Sequence, residues 1–440
     1  MTTLEELYRL FRMHPEVCTD TRRLSHACLF FALKGENFDG NTFAEQALRD
    51  GAAYAIIDDA HYQTDPRCLL VPDVLQTLQQ LARYHRQHFD IPVIGIAGSN
   101  GKTTTKELVS AVLASHYPCH FTKGNLNNHI GVPLTLLAMP DHTEVAVIEL
   151  GTNHPGEIAE LCEIARPTHG LITNIGKEHL EGFGSLAGVK KAEGELFDYL
   201  SRRDGCAFVN LSEKHLPAMA RKVRKKIAYS RVDILDPAAT SSPIGVRLTT
   251  ETPFLNIAFL SEHDEPVEVH THIVGRYNFN NLMTAVALGT YFKVPSMAIK
   301  YALEAYRPAN NRSQLLQRDS NTFVLDAYNA NPSSMQAALE SFRDLKAPRK
   351  VAILGDMLEL GAESPKEHEA MLKLALRCKL DQLVLVGKAF GQCKRPARVL
   401  HFDHAASAKT WFDGQHFRDT FFLLKGSRGI RLEQILEDPR

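Results

Sequence analysis

The sequence predicts an α/β protein of three domains, and three observations predict it. At 440 residues the chain is too long for one ordinary core, and domains of common size would number about three. Short, nearly unbroken apolar runs alternate with helical ones, as in parallel sheets covered on both faces. Between two such runs lies Gly98-Ser99-Asn100-Gly101-Lys102-Thr103, the turn from a strand into a helix.

The first unit spans residues 1–90. Thr3 and Glu6 have capping-box spacing, and Leu4, Leu7, Tyr8 and Phe11 recur at helical intervals, so an amphipathic helix opens the chain. Strands are expected at 54–57 and 68–71, with helical runs at 42–50 and 74–88. His85 and His88, three apart on the last run, have metal-ligand spacing, although a solvated helix face is the plainer reading. The second unit, 91–307, has strands at 91–97, 145–150, 171–175 and 207–210. Its runs at 246–250, 254–260 and 267–274 lie too close together for crossover helices, so they form a β meander that extends the same domain. The third unit, 308–440, has strands at 322–326, 351–355, 382–387, 398–402 and 421–425 with helices or loops between them, a doubly wound pattern.

Composition removes several classes of function. With 50 basic and 51 acidic residues spread evenly, there is no electrostatic footprint for nucleic acid or an anionic membrane. The N-terminus lacks the apolar region of a signal peptide, and no apolar stretch is long enough to cross a bilayer. A soluble intracellular protein is expected. The eight cysteines form no C-x-x-C pair, which argues for buried thiols in a reducing compartment and against disulfides or zinc.

The 98–103 turn is a phosphate cradle. Its backbone amides can face phosphate oxygens, Lys102 adds a point charge, and the Thr103 hydroxyl can hold Mg²⁺. The general P-loop has a glycine five residues before Gly101; here that residue is Ile96, so the fit is to the shorter Gly-x-x-Gly-Lys-Thr form. A nucleoside triphosphate is the expected ligand. In open α/β sheets ligands gather at the carboxyl ends of strands, which selects Glu149, the following Gly151-Thr152-Asn153-His154, and Lys177-Glu178-His179. Glu149 and His179 can ligate a metal between the γ-phosphate and a second substrate; position alone gives equal weight to a strand-end carboxylate and a loop histidine that face water. Lys123-Gly124-Asn125-Leu126-Asn127-Asn128 offers amides and a cation, in a composition common to ordinary turns. In the third unit Asp326-Ala327-Tyr328-Asn329-Ala330-Asn331-Pro332 leaves a strand, and Asn331 also reads as a helix N-cap before Pro332. Gly355-Asp356-Met357 and Lys425-Gly426-Ser427-Arg428 end two more strands.

Taken together these segments resemble the Mur ligases over nearly the whole chain. The resemblance is carried by Thr19-Asp20-Thr21-Arg22, where the family usually has serine for Thr21; by Phe38-Asp39-Gly40-Asn41; by the short P-loop; by 124–133, 149–158 and 179–184; by Gly275-Arg276-Tyr277-Asn278-Phe279-Asn280-Asn281; and by 329–332, 354–361 and 425–428. It implies a UDP-precursor domain (1–90), a central ATP-binding domain (91–307) and a C-terminal ligase domain (308–440). The implied activity is ATP-dependent joining of D-alanyl-D-alanine to UDP-N-acetylmuramoyl-tripeptide through an acyl phosphate, with Mg²⁺, in a cytoplasmic monomer. Catalytic roles are implied for Lys102, Glu149 and His179. Nucleotide contacts are implied for Gly98, Ser99, Asn100, Gly101, Lys102, Thr103, Thr104, Asn278, Asn281, Arg312, Asp326 and Asn329. Substrate contacts are implied for Thr21, Arg22, Gly40, Asn41, Asn127, Asn128, Thr152, Asn153, His154, Tyr328, Asn331, Lys425, Ser427 and Arg428. Metal contacts are implied for Thr103, Glu149 and His179. Several Mur ligases carry a carbamylated lysine beside the second Mg²⁺; aligning 189–197 on that segment puts Glu193 there, so its carboxylate is expected to reach the metal directly or through water. An offset of one helical step would instead put Lys190 or Lys191 in that role. Two other readings compete: a folylpolyglutamate synthase-like ligase, whose first domain lacks the 20–22 and 38–41 segments, and a non-catalytic sensor of the UDP precursor or nucleotide.

Overall fold

The computed structural model describes residues 1–236 and 244–437, which build three main sheets and one short hairpin. The first sheet is parallel, in the order Val17–Cys18, Leu29–Phe31, Tyr54–Ile57, Cys68–Leu70. The opening helix, Leu4–Met13, has the expected capping box: the Thr3 hydroxyl accepts from the Glu6 amide and the Glu6 carboxylate accepts from the Thr3 amide. The helix Val74–Arg86 fastens this domain to the next. Its Leu78 and Leu81 share a core with Val132, Leu136 and Leu161, and its Arg86 donates to the carbonyls of Ala165 (3.2 Å) and Arg166 (3.3 Å). His85 corrects the solvated-face reading. It is 2% exposed, ringed by Tyr8, Phe11 and Phe89, because the opening helix covers the face it occupies. Burial pushes its imidazole down to about 4.

The central sheet has nine strands, ordered Pro266–His270, Asn256–Leu260, Ile244–Thr250, Lys225–Arg231, Cys206–Asn210, His169–Ile172, Val93–Ala97, Val145–Glu149, Cys119–Phe121. Val93–Ala97 is buried throughout and covered on both faces. Val93 and Ala97 pack with Val189 and Leu196 of the helix Leu186–Arg202; Ile94 and Ile96 pack with Leu108 and Val112 of the helix Lys102–Ala114 and with Leu282 and Val286 of the helix Phe279–Tyr291. Each buried isoleucine contributes about 1.5–3 kcal/mol by leaving water. The strand order reverses around Val93–Ala97, whose parallel neighbours are His169–Ile172 and Val145–Glu149. A crevice therefore opens at their carboxyl ends, where the P-loop, Glu149 and the 173–179 segment emerge. The meander does extend this sheet, through antiparallel pairings of its three strands. Its first strand runs parallel to Lys225–Arg231, which no apolar run announces because its side chains are mostly exposed or half-buried.

The C-terminal sheet is ordered Gln314–Arg318, Asn321–Asp326, Thr420–Lys425, Arg349–Gly355, Gln382–Val386, Leu400–Phe402. Five strands are parallel, as expected. The sixth, Gln314–Arg318, forms an antiparallel hairpin with Asn321–Asp326 and makes the sheet mixed; none of its side chains is fully buried, so the sequence gives it no apolar signal.

Candidate active site

The P-loop is built on two glycines with positive φ, Gly98 (+119°) and Gly101 (+79°). A Cβ on Gly98 would lie 2.2 Å from the Thr173 hydroxyl, and one on Gly101 would lie 2.7 Å from Asn281 Oδ1, so only glycine fits either position. The amides of the turn do not all face the crevice. Gly98 N–H donates to Glu193 (2.5 Å), Ser99 N–H to the Asn174 carbonyl (2.9 Å) and Asn100 N–H to Asn174 Oδ1 (3.1 Å). The amides left for phosphate are those opening the helix Lys102–Ala114, which has its first backbone bond at Thr105. Lys102 Nζ donates to the Gly98 carbonyl and lies 3.6 Å from Glu178. Burial opposes its charge, but Glu178, Glu193 and Glu149 outweigh it and hold the ammonium above the usual lysine range.

Glu149 ends its strand at 1% exposure. Its Oε1 accepts from the Thr103 hydroxyl (3.0 Å) and from Asn127 Nδ2 (2.8 Å). Its Oε2 is buried without a hydrogen bond, 3.8 Å from Lys106 Nζ. His179 has Nδ1 2.7 Å from Glu359 of the C-terminal domain, an arrangement that leaves Nε2 as the nitrogen for a ligand. Among the described residues no three His, Cys, Asp or Glu side chains form a metal cage on their own. Mg²⁺ keeps waters and takes one or two carboxylates together with substrate phosphates. The orphaned Glu149 oxygen beside the Thr103 hydroxyl is the donor set such an ion uses.

One cavity of about 650 Å³ collects these groups between the central and C-terminal domains. Of the residues expected from sequence, Ser99, Asn100, Gly101, Lys102, Thr103, Thr104, Asn127, Asn128, Glu149, Thr152, Asn153, His179, Asn278, Asn281, Arg312, Asp326, Tyr328, Asn329, Asn331 and Lys425 line it. Two of them are tied to each other: Lys425 Nζ lies 2.7 Å from Asp326 and is buried. Arg312 lies over the Tyr328 ring at 3.8 Å, with Arg428 on the same ring at 5.3 Å.

Other expected residues stand elsewhere. Thr21, Arg22, Gly40 and Asn41 are in the first domain, where Asn41 is fully buried and held by Asp39 and Asp58 while Arg22 pairs with Asp20. His154 is exposed beside Glu157. Ser427 is buried, accepting from the Leu358 amide and donating to the Ala330 carbonyl. Glu193 sits beneath the P-loop and not in the cavity wall. It is fully buried, one oxygen on the Gly98 amide and the other without a hydrogen bond; burial pushes its carboxyl up to about 8. Sequence reasoning passed over Asn174 and Ser333, and it named Glu178 only as a neighbour of His179. Glu178 is 2% exposed, with one oxygen unpartnered and the other facing Lys102.

Fold and site together define a three-domain P-loop protein with a nucleotide crevice closed by its third domain. Family models match in chain order: the Mur ligase family catalytic domain at 16–86, the Mur ligase middle domain at 96–289 and the Mur ligase glutamate ligase domain at 311–420. The chain is 36% identical to the UDP-N-acetylmuramoyl-tripeptide–D-alanyl-D-alanine ligase of Bacillus subtilis, covering 96% of this chain and 92% of that one. It is 35% identical to the Escherichia coli ligase of the same name at the same coverage. Among solved structures, MurF of Acinetobacter baumannii aligns with a TM-score of 0.82 at 30% identity over 96% of this chain and 92% of that one. The Thermotoga maritima MurF ligase in complex with ADP shares the fold, with a TM-score of 0.83 at 24% identity over 99% of this chain and 97% of that one. The chain belongs to the Mur ligase family of ATP-dependent ligases.

Proposed function

We propose that this protein joins D-alanyl-D-alanine to UDP-N-acetylmuramoyl-tripeptide, with ATP converted to ADP and phosphate. The observation that carries this reading is the cavity in which the P-loop, Glu149 and His179 meet the C-terminal strand exits at Asp326 and Lys425, in a chain matched over 96% of its length by ligases of that name. The first domain, with its Asp39, Asn41 and Asp58 network, is assigned to the UDP end of the precursor. The amides opening the P-loop helix and Lys102 hold the β- and γ-phosphates. Thr103, Glu149 and His179 would hold Mg²⁺, which would supply charge neutralisation to the phosphoryl transfer. Glu193 supports the loop through Gly98.

In the first step a carboxylate oxygen of the tripeptide bonds to the γ-phosphorus and the bond to the β-phosphate oxygen breaks, giving ADP and an acyl phosphate. In the second, the dipeptide's amino nitrogen attacks the acyl carbon; the tetrahedral intermediate expels phosphate and the nitrogen loses a proton. The protein's part is positioning and charge neutralisation. ATP and a nucleotide-linked precursor assign the reaction to the cytoplasm, and no helix among the described residues is long and apolar enough to cross a membrane. The test is phosphate release with ATP, tripeptide precursor and dipeptide, omitting each in turn. Release that needs all three is expected; binding without release would favour a sensor, and release with a folate and glutamate would favour the folate ligase.

A further inference from the structure

Asn331 is placed by sequence among residues that touch substrate, yet both ends of its side chain are held by protein. Its Oδ1 accepts from the Ser334 amide (2.8 Å) and caps the helix Pro332–Asp344. Because a backbone amide can only donate, that contact fixes the orientation of the side chain, and the Nδ2 end must face the P-loop. There it donates to Asn100 Oδ1 at 2.9 Å, across the boundary between the C-terminal and central domains. Asn100 is itself clasped. Its amide donates to Asn174 Oδ1 (3.1 Å), and its carbonyl accepts from the Thr173 hydroxyl (2.7 Å) and Asn174 Nδ2 (2.8 Å). The seam is tight at this point: a Cβ on Gly176 would lie 2.8 Å from Ser333 Oγ and 3.1 Å from Asn100 Nδ2. Two more ties cross it nearby, the Lys177 amide to Ser333 Oγ (2.7 Å) and Lys177 Nζ to the buried Glu367 (2.6 Å).

We infer that Asn331 is a positioning residue that couples docking of the C-terminal domain to the shape of the P-loop, acting through Asn100 and not through the substrate. A C-terminal domain held at this seam fixes the Asn100 side chain, and a P-loop ordered by nucleotide presents Asn100 to Asn331. Coupling of this kind is reciprocal, so losing the bond weakens nucleotide binding from the side of the dipeptide domain.

The inference rests on the nucleotide site proposed above but not on which two substrates are joined. Its test is therefore calorimetric binding of a non-hydrolysable ATP analogue with Mg²⁺ and no other substrate. Asn331→Ser keeps a capping oxygen but removes the donor, while Asn100→Ala removes the acceptor and leaves the cap alone. Each is expected to loosen the analogue roughly fivefold, the scale of one hydrogen bond. The double variant should be no weaker than the weaker single, and Asn331→Ser should melt like the wild type. Asn331→Ser binding at wild-type strength, or two losses that multiply in the double variant, would overturn the inference. If the serine variant fails to fold, wild-type affinity in Asn100→Ala overturns it equally. Either failure leaves the ligase reading standing, whereas a wild-type protein that binds the analogue but releases no phosphate with both substrates sinks that reading alone.

Discussion

Lys102 bears the largest share of the chemistry assigned to any one side chain, and it lies in a buried setting of opposite charge, with Glu178 3.6 Å away. Lys102→Ala should abolish phosphate release while leaving binding of the UDP-linked precursor, which is assigned to the first domain, largely intact. Equilibrium binding beside a turnover assay checks both halves, and normal turnover would refute the assignment. Glu149→Gln keeps the size and removes the charge at the orphaned oxygen; kcat should fall by about a hundredfold or more, the usual scale for losing one preorganised charge contact, and a Mg²⁺ titration should shift to higher concentration. Gly98→Ala puts a Cβ 2.2 Å from the Thr173 hydroxyl at a φ that disfavours it, so nucleotide binding should be lost in a chain that still folds. These glycines and Lys102 were legible in the sequence because a tight turn and a phosphate charge need particular residue types. The seats of Glu178 and Glu193 were not: Glu178 lies in a loop with no periodicity to read, helical spacing gives Glu193 a face but no depth, and the one faces Lys102 while the other holds the Gly98 amide.

Longer elements with a strong apolar pattern were predicted, while short ones such as Leu29–Phe31 and those without such a pattern were missed. Val93–Ala97 and Val145–Glu149 are buried along their whole length and stood out; Gln314–Arg318 and Lys225–Arg231 lie at half-exposed positions and did not. The helix Val74–Arg86 shows the converse limit, since its outward-looking His85 is covered by another element. Its folded-state value near 4 lies below the ordinary 6.5, so the unfolded chain takes the proton first. The contribution is complete above about pH 6.5 and is lost as pH falls toward 4, with a slope of at most about 1.4 kcal/mol per pH unit for one proton. Denaturant titrations across that range should show a shallower acid loss in His85→Leu than in the wild type; equal slopes would show that His85 does not titrate as its burial requires.

At the scale of the molecule, the central and C-terminal sheets meet at one crevice, and the sequence announced the sheets better than their meeting. Lys177 and Glu367 stand 190 residues apart and form a 2.6 Å pair; nothing local to either residue predicts it. Lys177→Ala leaves a buried carboxylate unpaired at the seam, so docking of the C-terminal domain should weaken and the KM values for the dipeptide and for ATP should both rise several-fold, as initial-rate kinetics would show. The reaction proposed for the crevice makes an acyl phosphate and passes it to an amine. The most direct measurement supplies tripeptide precursor labelled with oxygen-18 in its terminal carboxylate, together with ATP and D-alanyl-D-alanine, and follows the label by mass spectrometry. One labelled oxygen should appear in the released phosphate for each amide formed. Amide formed with unlabelled phosphate, or ATP cleaved with no amide, would contradict the account.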